Sequence, residues 1–360
     1  MSTTTTRRMR TAAALAAATA LLAACGGGGA SGDDTISIVG FAVPEAANAA
    51  IADEFSDTES GAGVGFRTSY GASGDQSRAV VDGLDADYVH LSVATDVERL
   101  VDAGLVEETW DDAENKGIVS TSIVVLGVRD GNPKNIQGWD DLIRDDVEIV
   151  TPNPASSGAA RWNALAAWGH VTENGGSEEE AAQFLDDLFA NVVSLTNSGR
   201  DATQSFLGGT GDVLLAYENE AILAAQNGNG FEYVIPETTL LIENPGAVLT
   251  EAAPITDDWL EFVLSPEGGQ RQFALNGFRP LNLDDPGVVD LSEVGLEASD
   301  IEGAADADDP FPAVTNLLTL EDNFGGPGWG GIVDQLFADG SEGEAGVVTQ
   351  AIEKSGKATQ

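Results

Sequence analysis

The stretch TPNPASSGAARWNALAAWG, Thr151–Gly169, decides how this chain folds. It follows EIV, a strand candidate with Ile149 and Val150, so the sequence passes from a strand through two prolines into a helical pattern. Pro152 and Pro154 prevent an early helix, Ser156 or Ser157 offers an N-cap, and a helix is expected from near Ala159. A strand-to-helix turn of this kind aims unpaired N–H groups and the positive end of the helix dipole at one place. Small residues let an anion approach that backbone.

The same arrangement recurs outward from this segment. TISIVGF (35–41) reads as a strand followed by Ala42 and a helix beginning near Pro44. VGFRTSY (64–70) is followed by GASGDQ, with Ser73 as the expected N-cap. NVVSLT (191–196) is followed by NSGRDATQ, with Gly199 ahead of a helix expected near Thr203. DYVHLSV, STSIVVLGVRD and DVLLAYE are further strand candidates, and another helix is expected near Glu178. Strands alternating with helices predict an α/β protein with parallel sheets. In open α/β sheets ligands sit beyond the carboxyl ends of the strands. Capping alone, worth about 1 kcal/mol, accounts for any single Ser-Gly turn. Four such turns in succession point to an oxyanion or nucleotide binder.

Composition restricts the partners. The 360 residues hold 60 acidic against 16 basic side chains, a formal net charge of -44. Such a surface argues against nucleic acid and against adhesion to anionic lipid. It suits a salty habitat, where a Debye length of about 3 Å at molar salt mutes self-repulsion. At the N-terminus Arg7, Arg8 and Arg10 precede an uncharged apolar run ending in LAAC, Leu22–Cys25. This reads as a signal peptide over residues 1–24, with the export route open between Sec and twin-arginine. Cys25, the single cysteine, stands where a bacterial lipobox places its lipidated residue. GGGGASGDD then reads as part of a flexible tether over 25–34. The expected product is exported and anchored through Cys25 to the outer face of the membrane.

The chain also carries a family resemblance. SYGASGDQSRAVVDGLDADYVHLSVATDVERL, GNPKNIQGWDDLI, VEIVTPNPASSGAARWNALAAWG, NSGRDATQSF, GTGDVLLAYENEAIL, SPEGGQRQFALNGFRP and NFGGPGW occur in order. Together they resemble the sulfate- and thiosulfate-binding proteins of ABC importers. The resemblance implies a type II periplasmic-binding-protein fold, with two α/β lobes joined by two crossover segments and the ligand between them. On that basis residues 35–119 begin lobe I, 120–244 form lobe II, and 245–360 complete lobe I and end in a C-terminal wrap over a lobe already built. It also implies a monomer that captures sulfate, needs no cofactor, and delivers its ligand to permease and ATPase subunits. Backbone donors would come from Ala42, Ser73, Gly158, Ala159 and Gly199, a hydroxyl from Ser157, and a further donor from Tyr217. Tyr217 stands where a tryptophan is common; its O–H replaces an indole N–H but adds lone pairs.

Hydrogen-bond chemistry then favours sulfate over phosphate. Sulfate carries only acceptors at neutral pH, so a dry pocket of donors suits it, while hydrogen phosphate also needs an acceptor. No Asp or Glu is among the expected ligands; Asp75, two residues after Ser73, is the nearest candidate and is expected to favour its helix N-terminus instead. Thiosulfate, molybdate or phosphate receptors, and a module coupled to a sensor, are the alternatives. No catalytic or metal site is expected. His90 and His170 lack partners at metal-ligand spacing, and GASG does not complete a nucleophile elbow. Arg161 and Arg200 are expected to brace loops or lobes, and Trp139, Trp162 and Trp168 to pack.

Overall fold

The computed structural model describes residues 35–283, 285, 287–325, 329–341 and 343–357. The expected signal peptide, the tether and Cys25 lie outside the described residues. The first half of the molecule is built from β1 (Thr35–Phe41), α1 (Glu45–Ser56), β2 (Gly65–Gly71), α2 (Ser73–Val81), β3 (Tyr88–His90) and α3 (Ala94–Asp102). The long strand β4 (Ile118–Val128) leads into the second half. There follow β5 (Ile149–Pro152), α4 (Gly158–Thr172), α5 (Glu178–Ala190), β6 (Val192–Thr196), α6 (Gly199–Leu207), β7 (Val213–Tyr217), α7 (Glu218–Gln226) and β8 (Glu232–Val234). A second long strand, β9 (Thr238–Val248), returns to α8 (Ile255–Leu264) and α9 (Arg271–Leu275). The tail adds β10 (Asn316–Leu318), α10 (Leu320–Asn323), α11 (Gly330–Phe337) and α12 (Val347–Lys354).

Parallel pairing forms the heart of each half. β1 lies between β2 and β3, and β5 between β6 and β7. Ile36, Ile38, Val39 and Phe41 are all buried, as expected of a parallel strand covered on both faces. β4 and β9 run antiparallel from Ile118↔Pro245 to Ile123↔Leu241. Beyond that shared stretch, β9 pairs with β3 and β4 pairs with β7. These two strands therefore connect the halves, giving the continuous order β2-β1-β3-β9-β4-β7-β5-β6.

Local sequence explains most boundaries. A capping box starts α5: Ser177 Oγ accepts from the Glu180 N–H (3.2 Å) and the Ser177 N–H donates to Glu180 Oε2 (2.8 Å). The third helix of the second half, α6, starts at Gly199, four residues before the expected Thr203, because Ser198 caps it by accepting from the Asp201 N–H. α4 is buried over most of its length, from Gly158 to Gly169 with Arg161 as the exception. Its outer side needs cover, and the tail supplies it. Trp329 packs edge-on against Trp162 at 4.6 Å, and Leu318 and Phe324 close over Gly169. Lys354 pairs with Asp186 at 2.8 Å. Residues 255–278 lie against the first half, with Trp259 packed on Phe55 and Phe66. Parts of the tail therefore pack on the second half: β10 pairs with the start of β9, and α12 lies against α5.

Candidate functional site: a cleft lined with backbone donors

Four strand-to-helix turns meet where the halves touch. At the start of α4, Ser157 is the N-cap residue, but its side chain makes no capping bond. Its N–H donates to Asn153 O (2.9 Å); among the described residues its hydroxyl and the N–H groups of Gly158 and Ala159 find no acceptor, as expected of a first helical turn. At α6, Gly199 occupies the first helical position. A Cβ added at Gly199 would stand 3.2 Å from both Ala159 Cβ and Val43 Cγ2, so three of the turns are in contact there. A Cβ on Gly158 would stand 2.6 Å from Ser92 Cβ and Oγ.

Two turns differ in detail from expectation. Ala72, not Ser73, is the N-cap of α2. Ser73 Oγ instead donates to Asp96 Oδ2 (2.7 Å) and accepts from the Ser92 N–H (2.9 Å), while the Ser73 N–H stays unpaired. The Ala42 N–H donates to Gly71 O (2.9 Å), extending the β1–β2 ladder by one residue. That donor is committed to the sheet, and the next N–H, on Val43, is the one left without an acceptor. Val43 O accepts from Arg200 Nη2 at 2.9 Å.

Hydrogen bonds hold the cleft shut. The Gly74 N–H donates to Ser156 O (3.0 Å), Trp162 Nε1 to Ser92 O (2.8 Å), Asn197 Nδ2 to Asp75 Oδ2 (2.9 Å) and Arg161 Nη1 to Thr95 Oγ1 (3.2 Å). Each joins an element of the first half to one of the second. Arg161 also donates to Pro154 O, and Arg200 pairs with Glu220 at 2.8 Å. Both arginines therefore brace the turns. Asp75 pairs with Arg78 (2.6 Å) and its side chain is 46% exposed, so it faces solvent. The buried carboxylates bordering the turns are already partnered: Asp96 by Ser73 and Arg99, Glu220 by Arg200 and Thr203. Burial pushes the Glu220 carboxyl up, against the opposing pull of Arg200.

Tyr217 is buried at the N-cap position of α7. Its Oη lies 2.8 Å from Ser92 Oγ and accepts from Asn244 Nδ2 at 3.4 Å. Burial raises the phenol pKa, so it keeps its proton. His90 is also fully buried; Nδ1 meets Asn48 Oδ1 (3.1 Å) and Nε2 meets Ser120 Oγ (3.0 Å). Burial lowers its pKa to about 3, which keeps the ring neutral and structural. His170 pairs with Asp140 at 2.9 Å, away from the cleft.

The structure thus gathers Ser73, Ser157, Gly158, Ala159, Gly199 and Tyr217 in one place, with Ala42 beside them. Val43, Ser92 and Asn244 belong there too and escaped the sequence reading. Reading DYVHLSV as one strand hid the turn after β3, which ends at His90 and leaves Ser92 at a fifth strand-to-helix junction. A surface cavity of about 650 Å³ lies elsewhere, around Trp139 and His170. Asp140, Asp141, Glu180 and Glu237 line it, which makes it hostile to anions. Among the described residues no cluster of His, Cys, Asp and Glu is placed to hold a metal, and no helix is long and apolar enough to cross a membrane.

Comparison with known proteins identifies the family and the fold. Residues 36–279 match the bacterial extracellular solute-binding protein family. A sulfate-binding protein of Synechococcus elongatus is 39% identical, over 85% of this chain and 84% of its own length. A thiosulfate-binding protein of Pseudomonas aeruginosa is 36% identical, over 78% of this chain and 82% of its own. The solved structure of the sulfate-binding protein SubI from Mycobacterium tuberculosis superposes with a TM-score of 0.74 at 40% identity, covering 84% of this chain and 99% of that one. The two halves bridged by β4 and β9 are the lobes of a type II periplasmic-binding fold, and the chain belongs to the sulfate- and thiosulfate-binding family of bacterial extracellular solute-binding proteins.

Proposed function

We propose that this protein captures sulfate outside the cytoplasm and delivers it to an ABC importer. The observation that carries this reading is the set of unpaired donors at the closed cleft: the N–H groups of Val43, Ser73, Gly158, Ala159 and Gly199, with the Ser157 hydroxyl. Helix N-termini supply positive potential there without a counter-ion. The neighbouring carboxylates are occupied by cations or hydroxyls, so a ligand that only accepts hydrogen bonds fits and one that must donate does not. Family membership supports binding without catalysis, and relatives named for sulfate and for thiosulfate make those two the leading ligands.

The finer parts of the proposal are a monomer released from residues 1–24, lipid-anchored through Cys25 and adapted to salt by its acidic surface. The lobes are proposed to meet near Ser120 and Asn244, where β4 and β9 leave their shared stretch. The test is calorimetric titration of the domain begun at Gly26 and stripped of anion, in high potassium chloride. Tight sulfate binding with phosphate silent is expected; phosphate binding without sulfate would overturn the reading. Metabolic labelling with a fatty acid, lost in Cys25→Ala, tests the anchor.

A further inference from the structure

Hydroxyl groups are ambiguous ligands, because each can donate or accept. A cleft selecting against protonated anions has to remove that ambiguity, and the buried polar chain behind the cleft does so. Asn244 lies on β9, where the halves are bridged, and is fully buried. Its Nδ2 donates to Ser92 O at 3.0 Å, and since a carbonyl can only accept, this bond fixes which end of the amide faces Ser92. The same nitrogen donates its second proton toward Tyr217 Oη at 3.4 Å. Either oxygen of the 2.8 Å Tyr217–Ser92 pair can donate. With Asn244 on a Tyr217 lone pair, the Tyr217 proton is directed to Ser92 Oγ and not to the ligand, in place of the donor role expected of Tyr217. With one lone pair so occupied, the Ser92 hydroxyl is left to donate onward. A Cβ added at Gly158 would stand 2.6 Å from Ser92 Oγ, so that hydroxyl lies close to the first turn of α4.

We propose that Asn244 sets the direction of a relay, Asn244 to Tyr217 to Ser92, that presents the Ser92 hydroxyl as an obligate donor to the bound anion. Ser92 is then a specificity-determining residue and Asn244 the positioning residue behind it. The proposal rests on the reading of the cleft as a sulfate site. It deepens that reading by naming what discriminates a fully ionised oxyanion from a protonated one. Asn244→Asp reverses the relay. The oxygen replacing Nδ2 accepts from Tyr217 whether or not the carboxyl is ionised, since its single proton would be directed at Ser92 O. Tyr217 then accepts from Ser92, and a Ser92 lone pair would replace the donor.

The experiment titrates wild type, Asn244→Asp and Ser92→Ala with sulfate, selenate, phosphate and arsenate at mildly alkaline pH, with thermal melts of each ligand-free protein. Asn244→Asp is expected to shift the sulfate-to-phosphate affinity ratio toward phosphate by about tenfold or more. Selenate should follow sulfate and arsenate should follow phosphate. Using the ratio cancels the charge effect, because both anions are dianionic. Ser92→Ala, the smaller change, is expected to weaken sulfate by about tenfold while the melt is preserved. A folded Ser92→Ala protein with wild-type sulfate affinity overturns the relay, as does an unchanged ratio in folded Asn244→Asp. Failure of wild type to bind sulfate is a separate result and removes the functional reading itself.

Discussion

Gly158→Ala separates closure from folding. Gly158 is the first residue of α4, where alanine is well tolerated by the helix. Its added Cβ would lie 2.6 Å from Ser92 Cβ and Oγ and 3.2 Å from Val93 Cγ1, all on the opposite half. Carbon atoms pack at about 3.5–4.0 Å, so the halves must part by roughly 1 Å there. That displacement acts on the Trp162–Ser92 (2.8 Å) and Gly74–Ser156 (3.0 Å) hydrogen bonds, and on the donors that grip the ligand. At about 1 kcal/mol for each of two to four weakened bonds, the loss is about 2–4 kcal/mol, or roughly 30- to 700-fold in Kd. A contact made only on closure does not bear on the fold of each half, so the melting temperature of the stripped protein should not fall. Isothermal calorimetry with sulfate, paired with melts of the stripped protein, measures both. Wild-type affinity in a folded Gly158→Ala protein would show that the cleft does not close on its ligand as described.

Further outcomes follow from the same contacts. Ser157→Ala should weaken sulfate by about 1–3 kcal/mol in a calorimetric titration, since its hydroxyl has no partner among the described residues; unchanged affinity removes it from the site. Arg279 forms a buried pair with Glu218, 2.7 Å from Nε to Oε2. Arg279→Met should therefore cost about 3–5 kcal/mol in urea unfolding at neutral pH, and less in acid, where Glu218 can protonate; an unmoved midpoint would refute this. Burial, with Glu321 secondary, pushes the Glu243 carboxyl up to about 7. Glu98, Asp111, Lys116 and Glu321 share its cavity. The folded-state value exceeds the unfolded one, so this group's contribution to stability is full at acid pH and is lost as pH rises through about 7. Glu243→Gln should raise the melting temperature above that pH and leave it unchanged well below; an equal gain at both refutes the assignment.

Much of the architecture was legible because its signals are local. β1 matches TISIVGF residue for residue, α5 begins at the expected Glu178, and the SSGAA turn does open α4. The strand β9 went unread because Asn244, Pro245 and Gly246 look like a turn. Pro245 is tolerated there because it lacks only a donor: its carbonyl still accepts from Leu91, and the neighbouring Gly246 N–H reaches Gly117 O. That missed strand bridges the halves and carries Asn244.

What the sequence alone determined was the class of the molecule and the kind of ligand it can hold. Strand-to-helix turns with small residues display free N–H groups wherever they occur, and caps and apolar runs act over a few residues. The tertiary structure decided which donors remain free. Ala42 lost its N–H to Gly71, Val43 kept its own, and Ser73 turned its hydroxyl to Asp96. It also decided which way a hydroxyl points, since Tyr217 and Ser92 take their direction from Asn244, 27 residues beyond Tyr217 in the chain. Hydrogen-bond capacity belongs to a residue type, but its occupancy depends on neighbours that only folding brings within 3 Å or so.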